Sequence, residues 1–160
     1  MHTRDFAETL ATLFAELNEG LSGRAYILNR GDVGMLGSLD ALSAEAASAR
    51  TQTGSTIAAH VDHVRYGLSL MNRWAAGEDP FQDADWGASW KKKTVTDDEW
   101  RNLRAALRQE AADWLQVLRT PRDVTEMELH AIIGSIAHLA YHLGAIRQIN
   151  SSLRGPVEPG

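Results

Sequence analysis

Hydrophobic residues recur at spacings of three and four along four stretches of the chain, and this periodicity predicts four long amphipathic helices. The first predicted helix covers residues 3–18, and the stripe that it presents consists of Phe6, Leu10, Leu13, Phe14 and Leu17. The second begins near Ser55 or Thr56 and ends at Gly77, shortly before Pro80.

Two capping boxes mark the starts of the third and fourth predicted helices. Thr96 and Thr125 are each followed three positions later by a glutamate, which can bond back to the first residue of the helix. The third helix should stop before Pro121, because proline disfavours helical backbone in the residue ahead of it. The fourth should run to about Leu153, a length of roughly 40 Å at 1.5 Å per residue.

The connections between these helices are long. Residues 21–39 are glycine-rich and aperiodic, which predicts a loop containing a turn of helix at residues 24–29. Residues 38–49 are alanine-rich and predict a short extra helix. No segment shows sustained alternation of polar and apolar residues. The fold class expected is therefore all-α, a four-helix bundle with long connections, in a single domain spanning residues 1–160.

Residues 78–93 form an irregular segment that carries three aromatic side chains, Phe81, Trp86 and Trp90. Two interpretations stay open for these aromatics. They fold back onto the edge of the core, or they wall a pocket. The short basic run at residues 91–93 predicts a solvated loop face.

Composition narrows the possible chemistry. The 160 residues include no cysteine, which excludes disulfides and thiolate sites within one chain, so any metal must be bound by nitrogen and oxygen ligands. The net charge of −5 argues against a nucleic-acid partner. No uninterrupted apolar run approaches the ~20 residues of a membrane span, and the N-terminus lacks the order of a signal peptide. We therefore expect a cytoplasmic protein without a membrane partner.

His138 and His142 are the most informative residues of the chain. Because they lie four positions apart in a predicted helix, their side chains share one face, one turn apart. Two neutral imidazoles in this arrangement can chelate a transition-metal ion. The pair lacks the glutamate of the H-E-x-x-H metalloprotease helix, so a third ligand must come from elsewhere.

The second helix supplies two candidates for that ligand, His60 and His63. A helical wheel places both on the buried half and slightly favours His60 as the inward residue. Gly67, one turn beyond His63, suggests close packing or room for a ligand, since glycine inside a helix costs about 1 kcal/mol relative to alanine. The remaining histidines considered, His2 and His130, have no such context and carry no predicted role.

Several segments resemble one known family. The sequence Thr-Ile-Ala-Ala-His-Val-Asp-His at residues 56–63 and the sequence His-Leu-Ala-Tyr-His-Leu-Gly at residues 138–144, with Ile146, carry most of the likeness. Residues 34–43 and 74–81 add to it. Together they are similar to the DinB-like (damage-inducible) superfamily of metal-binding four-helix bundles, which includes bacillithiol S-transferase and mycothiol-dependent isomerase relatives.

The resemblance implies a three-histidine site formed by His63, His138 and His142, usually for Zn or Ni. With these three as ligands, His60 and Tyr141 become candidates for residues that line the pocket or contact the ligand histidines. It further implies a homodimer and a small-molecule substrate, with a low-molecular-weight thiol as a possible cosubstrate. The family name does not imply DNA binding.

Three classes of function remain open from the sequence. The first is a metal-dependent enzyme, either a thiol S-transferase or a hydrolase, for which Asp62 on the polar face is not a good base and Arg147 is either an anion-binding or a surface residue. The second is a non-catalytic metal- or ligand-binding protein of a stress response. The third is a metal-free helical interaction module whose histidines only form hydrogen bonds.

Overall fold

The structure, a computed structural model, describes residues 3–51 and 54–157, and all regular elements in these ranges are helical. The α-helices are α1 (Thr3–Glu19), α2 (Gly34–Asp40), α3 (Ala44–Ser48), α4 (Ile57–Ala75), α5 (Asp97–Arg119) and α6 (Glu126–Ile149). Two 3-10 turns cover Ser89–Lys91 and Ser151–Leu153. The predicted all-α class is confirmed for the described part of the chain.

Side-chain caps begin the long helices at the predicted positions. The Thr56 hydroxyl accepts the backbone N–H of Ala59 at the start of α4. At Thr96 and Thr125 both halves of the capping box are formed, so the starts of α5 and α6 are confirmed.

The four long helices pack on one another through their apolar stripes. Helix α1 contacts α5 and α6, and α4 also contacts α5 and α6. The core between them includes the fully buried Trp100 and Trp114. Their indole N–H groups donate to the Leu42 carbonyl and to Ser135 Oγ, each at 2.9 Å, so both large rings are buried without an unpaired donor.

The predicted turn of helix at residues 24–29 is wrong. The fully buried Glu16 carboxylate of α1 accepts the backbone N–H groups of Tyr26, Ile27 and Leu28 at 2.9, 2.6 and 2.6 Å. Because these N–H groups bond to a side chain rather than to backbone carbonyls one turn back, the segment bends around Glu16 and closes no helical turn.

Two further helix boundaries differ from expectation. The single short helix predicted at residues 38–49 is two helices, because α2 ends at Asp40 and the extended Ser43 starts α3 by accepting the Ala46 N–H. The last long helix ends at Ile149 rather than near Leu153, since Asn150 adopts extended backbone and begins a separate 3-10 turn.

The loop between α1 and α2 is held by a close backbone approach. Gly20 has a φ of +74°, and a Cβ there would lie 1.9 Å from the Asp32 carbonyl oxygen. Gly34 has a φ of +64°, and its Cβ would lie 2.7 Å from the Gly20 nitrogen. Only glycine fits at these two positions. The loop therefore holds Asp32 close to the C-terminal part of α6, where its carboxylate contacts Arg147.

Arg147 of α6 meets that carboxylate in a buried ion pair. Its two terminal nitrogens donate to Asp32 at 2.6 and 2.9 Å, and one of them also lies 3.3 Å from Ser38 Oγ. Burial alone would raise the pKa of Asp32, but the hydrogen bonds from Arg147 and Gly34 and the guanidinium charge hold it below the ordinary value. Arg147 thus lies in a structural contact of the fold.

Helix α6 is apolar along most of its length, although it contains no long uninterrupted apolar run. Its 24 residues include an 18-residue window of mean hydropathy 1.3, so by length and composition alone it could cross a membrane. A core helix of a soluble protein passes the same test, and α6 packs on α1 and α4 here.

Candidate metal centre

Three of the predicted ligand residues come together where α4 packs on α6. His63 of α4 and His138 and His142 of α6 each offer one ring nitrogen, and these three atoms all lie within 4.8 Å of one another. The ring centroids of His138 and His142 are 4.4 Å apart, and His63 lies 5.1 Å from each. The three histidines are therefore close enough to hold one metal ion.

His60 also faces this cluster but lies behind it. Its Nδ1 is 2.8 Å from Nδ1 of His142, while Nε2 of His142 lies 3.0 Å from Nε2 of His138. His60 and His63 are both buried, at 6% and 8% exposure. The wheel was right that both lie on the buried half of α4, and packing places His63, not His60, in the three-nitrogen group.

Ser89 fixes the orientation of His63. The Ser89 hydroxyl donates to the Trp86 carbonyl at 3.2 Å, and it lies 2.9 Å from Nδ1 of His63. With its single proton directed to Trp86, the hydroxyl can accept the Nδ1–H of His63. That tautomer leaves the lone pair of His63 on Nε2. A ligand histidine normally donates its other ring N–H in this way.

The irregular loop supplies an aromatic wall. The Trp90 ring stacks on His63 at 4.6 Å and meets His60 edge-on at 5.1 Å. Trp86 lies 5.9 Å from His63. Of the two interpretations left open for the loop aromatics, these two tryptophans favour the pocket wall. Ser89 was not identified from the sequence, because a lone serine in a loop carries no periodic signal.

Burial keeps the histidines uncharged. The pKa of His142 is lowered to about 3, first by burial and then by repulsion from the neighbouring imidazoles when they are protonated. The pKa of His63 is lowered to about 4 by burial and by His138 and His60, against a small opposing effect of Asp62. Burial likewise lowers the pKa of His60 and His138. At neutral pH the cluster therefore offers neutral imidazoles, the form that binds metals.

A cleft of about 290 Å³ opens beside the cluster, between α4 and α6. Its apolar lining includes Val64, Leu68, Met71, Trp86 and Leu139, and His138 forms part of its wall. A volume near 300 Å³ lies at the small end of the range typical of ligand pockets. The histidine cluster thus adjoins a space in which a small molecule fits.

The other residues considered from the sequence lie at the margin of the site or away from it. Tyr141 is 69% exposed, and its ring meets the His142 ring edge-on at 5.0 Å. Asp62 is paired with Arg65 at 2.9 Å on the outer side of α4. His130 is exposed on α6, and His2 lies outside the described residues.

Comparison with known proteins leaves the family open. No protein-family model, no curated protein and no solved structure matches the chain.

Proposed function

We propose that the protein is a DinB-like four-helix bundle that binds one divalent metal ion, Zn or Ni, through His63, His138 and His142. The observation that supports this most directly is the convergence of three ring nitrogens from two helices within 4.8 Å. The mutual packing of α1, α4, α5 and α6 agrees with such a bundle. The resemblance at residues 56–63 and 138–144 supplies the family.

The donor set fits a Zn or Ni ion. Imidazole nitrogens suit both metals, and the lowered pKa values leave the ligands neutral, so a metal need not displace protons at neutral pH. The Ser89 hydroxyl directs Nε2 of His63 towards the site, and His60 can accept the Nδ1–H of His142. These two contacts orient two of the three ligands before any metal binds.

We further propose that the site serves an enzyme, a thiol S-transferase or a hydrolase acting on a small molecule. When bound by three protein ligands, such a metal has an open position that activates a water molecule or stabilises the thiolate of a low-molecular-weight thiol. The chain itself contributes Trp90, which covers His63 and limits water, and the cleft beside His138, which receives the substrate.

A metal-free helical interaction module is the second candidate. One observation favours it: His60, His142 and His138 form a continuous chain of contacts at 2.8 and 3.0 Å, which pairs both ring nitrogens of His142 without an ion. The remaining candidate is a non-catalytic metal- or ligand-binding protein of a stress response, which would use the same site without catalysing a reaction.

We also propose that the protein is a cytoplasmic homodimer. The outer face of α6 supports the dimer, because Met127, Ile133 and Tyr141 are 74%, 48% and 69% exposed there. Exposed large apolar side chains on one helix are available for a protein contact. The acidic net charge agrees with the absence of a nucleic-acid partner.

Metal analysis of the untagged protein tests the metal proposal. We expect about one equivalent of Zn or Ni by mass spectrometry of the purified protein, and its loss in His138→Ala, since three ligands are needed to hold it. His130→Ala is the matched control, because His130 is an exposed histidine on the same helix. Native protein that folds but takes up no added Zn or Ni would instead support the interaction module.

Thiol-transfer assays separate the catalytic from the non-catalytic proposal. The metal-loaded protein should conjugate glutathione, bacillithiol or mycothiol to 1-chloro-2,4-dinitrobenzene, and His138→Ala should abolish the conjugation. Metal-loaded protein that neither transfers any of these thiols nor hydrolyses a panel of esters and amides would favour a binding protein.

A further inference from the structure

The cleft between α4 and α6 has a lining that defines a class of ligand. We infer that it binds a largely apolar molecule that carries no positive charge and presents one hydrogen-bond acceptor, such as a carbonyl oxygen, to Nδ1 of His138. The inference rests on the proposed function in one respect, since the metal proposed at His138 determines which ring nitrogen carries the proton.

The lining explains why the ligand carries no positive charge. No lysine, arginine, aspartate or glutamate lines the cleft within the described residues. Its hydroxyl, Ser135 Oγ, already donates to the Ile132 carbonyl at 2.7 Å and accepts the Trp114 indole N–H at 2.9 Å. A cationic group in this cleft would lose its hydration without gaining an acceptor, which is costly.

The volume sets the size of the ligand. A cavity of about 150 Å³ accommodates benzene, so a cleft of roughly twice that volume fits a body of about two fused rings. Trp86 offers an aromatic surface on one side of this space. The molecule that fits is therefore aromatic or similarly flat.

The two ring nitrogens of His138 explain why the ligand must carry a hydrogen-bond acceptor. Nε2 faces Nε2 of His142 at 3.0 Å, inside the cluster. If Nε2 binds the metal, the one proton of the neutral ring lies on Nδ1. Among the described residues Nδ1 has no hydrogen-bond partner, although a ligand histidine normally donates its second N–H. An acceptor on the bound molecule would complete this contact.

Gly67 leaves that edge of His138 accessible. A Cβ at Gly67 would lie 3.6 Å from Cε1 and 3.7 Å from Nδ1 of His138, and 3.7 Å from the Trp86 ring. These are ordinary contact distances, so a methyl group fits there but would cover the Nδ1 edge. Gly67 thus keeps the passage between His138 and Trp86 open for the ligand.

Binding of three related probes to the zinc-loaded full-length protein tests the inference. The probes are 2-acetylnaphthalene, which has the acceptor, 2-isopropenylnaphthalene, which has a methylene in its place, and 2-(aminomethyl)naphthalene, which is cationic at neutral pH. We expect 2-acetylnaphthalene to bind about five- to tenfold more tightly than the methylene compound, the gain typical of one hydrogen bond, and the cationic probe to bind most weakly. Ligand-observed NMR titrations give the three dissociation constants.

Two glycine variants on α6 form a matched pair for locating the binding site. Gly134 lines the cleft and Gly144 does not, and a Cβ at either position meets nothing within 4 Å. Gly134→Leu should weaken binding of 2-acetylnaphthalene by about tenfold or more, because the new side chain occupies space that the ring needs, whereas Gly144→Leu should leave it unchanged. Gly67→Ala should abolish the preference for the carbonyl probe.

The inference is overturned if the two glycine variants behave alike, if the carbonyl and methylene probes bind equally, or if the cationic probe binds best. Metal content measured on the same samples keeps this result separate from the proposed function. A chain that binds no zinc disproves the metal site. The cleft is then still tested with 2-acetylnaphthalene. The proposed binding site is supported if this probe binds the native protein and Gly134→Leu weakens the binding, and it is overturned otherwise.

Discussion

Helix α6 carries two buried polar clusters, and they are built from opposite kinds of groups. Near its C-terminal end, Arg147 is paired with Asp32, and their side chains are only 13% and 3% exposed. About one and a half to two and a half turns earlier, His138 and His142 meet His60 and His63 with no carboxylate in the group. The ion pair is complete within the chain, whereas the histidine cluster consists of electron-pair donors that a cation would complete.

The pKa shifts show the same contrast. Asp32 has a lowered pKa and stays charged, because a guanidinium compensates for its burial. The histidines also have lowered pKa values, but in their case the shift removes charge, because burial and mutual repulsion disfavour the protonated rings. We conclude that the ion pair is satisfied within the fold, while three histidines of the other cluster lie close enough to bind a metal ion.

The largest expected effect comes from breaking the ion pair. Arg147→Met should lower the free energy of unfolding by about 3–5 kcal/mol, because it leaves the Asp32 carboxylate buried without its partner. Arg73→Met is the control, since the Arg73–Glu78 pair is about half exposed and should contribute only about 0–1 kcal/mol. Urea unfolding measures both. Equal losses in the two variants would show that the buried pair has no special role.

The two clusters should respond to pH in separate windows. For His63 the folded pKa is about 4 against an ordinary 6.5, so between these values the unfolded chain binds more protons. Stability of the metal-free protein is therefore present above about pH 6.5 and should fall by on the order of a few kcal/mol as the pH drops towards 4. The Asp32 contribution is present above its ordinary value of 3.8 and is lost only at lower pH.

Urea unfolding at a series of pH values checks this separation. His142→Gln should flatten the decline between pH 6.5 and 4, because it removes the most strongly shifted imidazole. His130→Gln, an exposed position on the same helix, should keep the decline. A metal-free protein equally stable at pH 7 and pH 5 would contradict the description of the cluster as buried and uncharged.

The smallest expected effect comes from removing the Ser89 hydroxyl, which contacts the proposed ligand His63. Ser89→Ala removes the acceptor for the His63 Nδ1–H and should weaken metal binding by about 10- to 100-fold without unfolding the protein. Ser69→Ala is the control, since Ser69 on α4 donates to the Tyr66 carbonyl of its own helix. Competition with a chromophoric chelator measures both affinities. Unchanged affinity in Ser89→Ala would mean that His63 is oriented by packing alone.

Local features of the sequence were sufficient to predict the four long helices and two of the three histidines of the candidate site. Capping depends on residues three positions apart, so the starts of α5 and α6 at Thr96 and Thr125 could be predicted. Likewise, the spacing of His138 and His142 places both rings on one face wherever the helix packs.

Two features that local patterns could not decide depend on contacts between distant residues. The bend at residues 24–29 depends on Glu16 from α1, and the choice between His60 and His63 depends on how α4 is rotated against α6. A wheel drawn from one helix cannot fix that rotation, because a small error in phase exchanges two residues three positions apart.

The sequence by itself therefore determined an all-helical chain, two histidines on one face of its last long helix, and nitrogen or oxygen as the donors to any metal. The family resemblance implied His63 as the third member of that group, and the tertiary structure brings it to the pair. Only the tertiary structure decided that Ser89 and Trp90 contact His63 and that Arg147 pairs with Asp32. The physical reason is the sequence separation of the interacting residues. Hydrogen bonding along one helix joins residues that are close in sequence, whereas these contacts depend on how distant helices and loops pack together.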